Sequence, residues 1–236
     1  RSRGLGEAYK RQAMAGSDEL SHLELRIAGR RINPATNGRS RRSHYTALTL
    51  RPVLGGKDVK VSGLPANPKI SNIAWSPNGK QLAFTVTSME DITLWIIDTK
   101  RGRAKQVMKR SLNAAYGTPY EWLSDSKGII ALTVPAGRGE APVESRVPKG
   151  PVIQENSGGE APVRTYQDLL TSPHDEALFD HYLTSQIVHV TLKGKVTKIG
   201  KPAIYGRAEP SPSEQMLMVE TIHRPKSYLV LSLIHI

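Results

Sequence analysis

The phrase "WSPNGKQLAFTV" (Trp75 to Val86) returns as "WLSDSKGIIALTV" (Trp122 to Val134). In each copy a Trp ends an alternating run, a cluster of turn residues follows, and a Lys leads into an apolar strand. Pro77 pre-sets φ for the turn, and Asn78-Gly79 tolerate the conformations that close it. Around the first copy, "ISNIAW", "QLAFTVT", "ITLWIID" and "AKQVM" read as four strands joined by short turns. Four antiparallel strands in about 40 residues make one meander the size of a propeller blade.

The second copy starts at Tyr120, and its last two strands come much later, as "SQIVHVTLKGKVTKIG" (Ser185 to Gly200). That stretch has the shape of "LWIIDTKRGRAKQV": strand, basic hairpin, strand. A third start is read at Ala208 to Thr221, with Ser211-Pro212 in the place of Ser76-Pro77. Tyr45 to Leu64 reads as the last two strands of an earlier blade. One blade cannot bury both of its faces alone, so stacked neighbours must form the core. The expected fold is all-β: a partial β-propeller of four-stranded antiparallel blades, with a loop/helix insertion in one of them. The expected divisions are 1–44 (N-terminal segment and incomplete early blade), 45–231 (blades, with the insertion at about 135–182) and 232–236 (a truncated or non-native tail). A β-sandwich with two chance turn matches is the competing reading; recurrence of the whole strand order favours the propeller.

The insertion opens rich in Pro, Gly and charge, as loops are. Later, Leu169 and Leu170, then Leu178, Phe179, Tyr182 and Leu183, carry helical spacing. Ser172 is the expected N-cap of a second helix beginning at Pro173, with Asp175 and Glu176 in its first turn.

Cysteine is absent, which excludes a disulfide scaffold and any Cys-based nucleophile or metal site. The formal net charge is +12, so anionic partners come to mind. The charge is concentrated: no acid lies between Glu24 and Asp58, whereas Arg26, Arg30, Arg31, Arg39, Arg41, Arg42, Arg51 and Lys57 all do. Tyr45 is the sole aromatic within that cluster. A single-strand binder needs stacking platforms beside its charges, so nucleic acid is not the expected partner. No apolar run approaches a membrane span, and no membrane partner is expected.

His174 and His181, with Asp175, Glu176 and Asp180, fall on one helix but lack a metal-site spacing and read as surface residues. A Gly-x-Ser-x-Gly elbow and a phosphate-binding Gly-Lys-Ser/Thr loop are both absent. Trp75, Trp95 and Trp122 sit at strand positions and read as packing residues. The residues by themselves indicate a scaffold, a gate or a binding surface, with no metal, no cofactor and no catalytic group.

Three stretches carry a family resemblance: "LRIAGRRINPATNGRSR" (Leu25 to Arg41), "ISNIAWSPNGKQLAFTV" and "GPVIQENSGGEAPVRTYQDLL" (Gly150 to Leu170). With Ser172 to Gln186, they resemble the N-terminal propeller of prolyl-oligopeptidase-family serine peptidases, in the glutamyl endopeptidase branch of chloroplasts and bacteria. The Asn33-Pro34…Asn37-Gly38 and Gln154-Glu155-Asn156-Ser157-Gly158 motifs are the specific ones. The resemblance implies a propeller that gates substrate for a C-terminal α/β-hydrolase domain cutting peptides after Glu. It implies catalytic residues beyond Ile236, no cofactor, and the chloroplast stroma in a plant. An acidic peptide needs cationic partners, and Arg138, Arg164 and Arg224 are the expected ones. The competing function is a stand-alone interaction module, binding a polyanion or a protein.

Overall fold

The computed structural model describes residues 12–13, 23–144, 167–224 and 226–228. The expected tail at 232–236, the Gln154–Gly158 motif and Arg164 lie outside those residues. Ahead of the first repeat the strands are short: β1 (Gln12–Ala13), β2 (Leu25–Ile27), β3 (Arg30–Asn33), β4 (Gly38–Arg39), β5 (His44–Tyr45), β6 (Thr49–Leu50) and β7 (Val59–Lys60). The first blade follows as β8 (Lys69–Trp75), β9 (Gln81–Thr87), β10 (Ile92–Asp98) and β11 (Arg103–Met108). The second is β12 (Tyr120–Trp122), β13 (Gly128–Thr133), β14 (Thr184–Thr191) and β15 (Val196–Pro210), and β16 (Leu217–Thr221) comes last. Within each blade every strand pairs antiparallel with the next, in chain order. The chain is thus all-β, a partial propeller with an insertion between β13 and β14, which holds helix α1 (Pro173–Leu183).

One detail differs from the sequence reading. Tyr45 does not belong to an earlier blade: it pairs with Ile70, adding β5 to the edge of the first blade. The earlier hairpin is reduced to β6 and β7. The expected third start is present as a hairpin, and its first strand is continuous with the second blade. β15 runs on past a bulge after its pairing with Ile187, and its far half, Tyr205 to Pro210, pairs with β16. Buried Gln186 spans that bulge, its side-chain amide donating to the carbonyls of Ile199 (2.9 Å) and Gly200 (3.3 Å).

The continuous apolar runs follow from burial on both sheet faces. In β9, Leu82, Phe84 and Val86 face a cluster with Leu48, Ile70 and Ile97, while Ala83 faces the second blade. In β13, Ile129 and Ala131 face the first blade, and Ile130 faces Ile187 and Tyr205 on the far side. Leu94, Leu112, Ile129, Val188 and Val190 are all fully buried between the blades. Each such side chain contributes about 1.5–3 kcal/mol.

The repeated phrase is the turn opening each blade. Ser76, Leu123 and Ser211 each donate their backbone N–H across the turn, to the carbonyls of Gln81, Gly128 and Met216 at 2.9–3.0 Å. Gly79, Ser126 and Glu214 occupy one equivalent position, all with positive φ (68°, 60° and 63°). These turns also link blades. The Asn78 N–H donates to Ser126 Oγ (3.1 Å), and the N–H of Asp125, equivalent to Asn78, donates to the Glu214 carboxylate. Beside them, Tyr120 Oη and Trp122 Nε1 donate to the carbonyls of Asn72 and Ala74 on β8, the latter at 3.2 Å. A glycine is required at Gly194 (φ 89°) in the β14–β15 hairpin, where a Cβ would stand 2.7 Å from the Val107 carbonyl of the first blade.

Trp75 holds the place in the first blade that Trp122 holds in the second, yet it is 45% exposed against 9%. Trp122→Phe removes the donor to the partly buried Ala74 carbonyl and is expected to cost about 1–2 kcal/mol. Trp75→Phe is expected to stay within about 0.5 kcal/mol. Urea unfolding of both variants checks the difference.

Candidate functional site

Strand direction divides the molecule into two rims. One carries the opening turns and the β10–β11 and β14–β15 hairpins. The other carries the β9–β10 turn, the 109–119 connection between blades, and the start of the insertion after β13. The Asn33–Gly38 loop and α1 join this second rim through hydrogen bonds.

The loop is built around two asparagines. Asn33 Oδ1 accepts from the Ala35 N–H (3.0 Å), closing a local Asx turn. Asn37 adopts positive φ (55°), which asparagine tolerates best among non-glycine residues. It is buried, and its Nδ2 donates to the Tyr182 carbonyl at 2.9 Å. Its own carbonyl accepts from the Ala114 N–H at 3.0 Å. From the blade connection, buried Asn113 donates to the same Tyr182 carbonyl and to that of Thr184, both at 2.9 Å. One carbonyl at the end of α1 therefore holds the early loop, the blade connection and the insertion together.

Helix α1 forms as its sequence dictates. Ser172 caps it by accepting from the Asp175 N–H at 3.2 Å, and Asp175 and Glu176 lie in the first turn. Phe179, Tyr182 and Leu183 are buried against Ile27, Ile32, Leu170 and Ile204. The expected helical character does not extend back to Leu169 and Leu170. Residues 167–171 are irregular, with Asp168 at positive φ (58°), its carbonyl accepting from the Gly29 N–H and its carboxylate 3.5 Å from Arg31. His174 and His181 stand on α1, and no cluster of three His, Asp or Glu suited to a metal occurs among the described residues.

Arg138 stands at the rim, half-buried. Its guanidinium donates to Asn37 Oδ1 and lies 5.4 Å above the Tyr182 ring. Burial lowers its pKa, and burial together with Arg138 lowers that of His181. Arg224 is placed differently. It contacts Glu176 at 3.0 Å and Asp180 at 2.6 Å, one helical turn apart on α1. Lys226, nearly fully buried, also pairs with Asp180, with its Nζ 5.0 Å over the Phe179 ring. Arg224 thus fastens the chain to α1. The structure does not bring Arg138 and Arg224 into one site.

The acid-poor basic segment is partly neutralised, chiefly by the acids that flank it. Glu24 takes Arg26 (3.1 Å) and Arg41 (3.3 Å), and Asp58 takes Arg51 (2.8 Å). A hydrogen bond from Ser40 and the two guanidinium charges hold the Glu24 carboxyl below its ordinary range. Arg30 lies 4.1 Å above the Tyr116 ring and donates to the Tyr116 carbonyl at 2.7 Å. Arg39 and Arg42 are left on a small cleft of the same rim, with His44 and Lys69.

No protein-family model matches the chain. Over 235 residues, 94% of its length, it is 37% identical to a protein of Oryza sativa subsp. japonica named "Probable glutamyl endopeptidase, chloroplastic". A protein of Arabidopsis thaliana with the same name is 34% identical over 94% of the chain. Over nearly its whole length the chain is thus homologous to plant proteins named glutamyl endopeptidase. It spans about a quarter of the length of these relatives, 25% and 24%. Among solved structures, an acylaminoacyl peptidase of Pyrococcus horikoshii covers 83% of the chain and 26% of its own (TM-score 0.46, 15% identity). A putative TolB of Agrobacterium tumefaciens covers 75% of the chain and 48% of its own (TM-score 0.38, 14% identity). Both scores are below 0.5, so the fold rests on the strand order above.

In this glutamyl endopeptidase relative, the Asn33…Gly38 motif has a structural meaning: it supplies the rim junction. Gly38 bridges Ala114 in parallel and approaches Ile92 so closely that a Cβ would stand 2.4 Å from its Cδ1. Asn113 was not legible as its partner, because a lone Asn in "SLNAAYG" carries no pattern. Asn37→Ala loses a buried hydrogen bond and places alanine at positive φ. It is expected to destabilise the protein by about 2–3 kcal/mol, with Asn37→Gly costing less. Equilibrium unfolding of the two variants measures both.

Proposed function

We propose that this chain is the substrate-gating propeller portion of a serine endopeptidase that cleaves after Glu. The α/β-hydrolase domain would be supplied by a part of the parent protein outside these 236 residues. The supporting observation is the identity to two glutamyl endopeptidases across 94% of the chain. A propeller packed against a hydrolase domain limits which peptides reach the nucleophile. Binding energy gained on the propeller can help orient a peptide for attack.

The substrate is an acidic peptide. Arg138 is its contact at the rim, held in place by Asn37 and Tyr182. Arg164 is the second candidate from the same insertion. Arg224 is the weaker one, because Glu176 and Asp180 already compensate its charge. The location that goes with this reading is the chloroplast stroma in a plant. The second reading, a stand-alone module for a polyanion or a protein partner, draws on Arg39 and Arg42, which have no ion-pair partner among the described residues.

The full gene product containing this chain is the material for the test. Matched peptides differing only by Glu or Gln before the scissile bond are offered to it. Cleavage after Glu is expected, abolished by replacing the hydrolase serine, with Arg138→Ala raising KM several-fold for acidic peptides. Absence of cleavage, with oligonucleotide binding that falls steeply with salt, would favour the second reading.

A further inference from the structure

The acid-free segment places many cations close together, and the fold sorts them. Among the described residues, Glu24 takes Arg26 and Arg41, Asp58 takes Arg51, and Asp168 takes Arg31. Arg39 and Arg42 keep no carboxylate among the described residues, and both reach the same cleft. Arg41 lines the same cleft with its charge met by Glu24, whereas the other two guanidiniums repel each other unless an anion sits between them.

The rest of the cleft suits an anion. His44 and Lys69, each with a contact of its own, stand in its walls, and the Asn72 amide lines it from the first blade. Neither Glu90 nor Asp91 of the adjacent β9–β10 turn belongs to the lining; Ser88 Oγ holds the Asp91 carboxylate at 2.5 Å. The blade is also shaped here. β8 carries a bulge between Ser71 and Ala74, and Asn72 takes positive φ (46°). Bulges of this kind re-aim side chains next to functional sites. Asn72 Nδ2 donates to Thr85 Oγ1 at 3.1 Å, and that hydroxyl donates on to the Ser71 carbonyl at 3.1 Å, so the wall is fixed. Desolvation and the charge of Arg39 lower the pKa of Arg42. The cleft volume, about 60 Å³, takes one small charged group and no ring.

We propose that the Arg39–Arg42 cleft at the rim of the first blade is a carboxylate-binding subsite, which takes an acidic side chain of a peptide away from the bond being cut. The identity of the carrier, a peptide, rests on the function proposed above; the anion site does not. A guanidinium presents a planar fork that matches a carboxylate. The two arginines then act as a second anchor that selects segments with more than one acid.

The test is fluorescence anisotropy with the protein and two short fluorescein-labelled peptides, one with two Glu residues and one with Gln in their places. The Glu peptide is expected to bind at least ten-fold more tightly. Arg39→Ala and Arg42→Ala should each remove most of that preference, and Arg42→Lys should restore part of it. Both positions are exposed, so unchanged melting temperatures show that the variants are folded. Equal binding of the two peptides, or a preference unaltered in both Ala variants, would overturn the proposal. So would displacement of the Glu peptide by inorganic phosphate or a single-stranded oligonucleotide at lower concentration than by free Glu peptide. If the preference stands but the full gene product cuts no peptide, the subsite survives and the peptidase reading fails. If cleavage after Glu stands without the preference, the subsite alone is lost.

Discussion

The Tyr182 carbonyl is the point on which the rim depends. A carbonyl has two acceptor sites, and both are used, by Asn37 and by Asn113. Tyr182 lies in the last turn of α1, where carbonyls lose their helical partners. The fold uses that loss to attach three parts far apart in sequence. An unpaired buried amide or carbonyl costs about 1–3 kcal/mol, so the three parts are specified together.

Blade stacking is the second constraint. Residues alternate along β9, β10, β13 and β14, so each sheet meets a neighbour on both faces. Stacking alone would let two greasy sheets slide. The linked opening turns, with Tyr120 and Trp122 bonded to β8, fix their register. Polar contacts here specify one arrangement among many apolar ones. Arg138, the Asn37 loop and the Arg39–Arg42 cleft gather on the opposite rim, where connections are long enough to carry them.

Much of this was legible in the sequence. The turn phrase gave the blades, because turn chemistry and a two-residue period are local properties. The N-cap at Ser172 and the buried face of α1 were legible for the same reason. Pairings between distant residues were not. Nothing in the sequence links Asn113 to Asn37, or Arg224 to Glu176 and Asp180. Tyr45 was assigned to the wrong sheet because a two-residue strand carries no periodic signal. The basic segment was visible as a charge excess. Its division into paired arginines and the Arg39–Arg42 cleft depends on where Glu24, Asp58 and Asp168 fall in space.

The central claim is that the loop, the blade connection and the insertion form one unit through the Tyr182 carbonyl. Hydrogen–deuterium exchange of Asn113→Ala tests it most directly. The account predicts faster exchange in three places at once: α1, the 33–38 loop and 113–116, with β9 and β10 unchanged. Faster exchange confined to 113–116, with α1 and the 33–38 loop as protected as before, would contradict it.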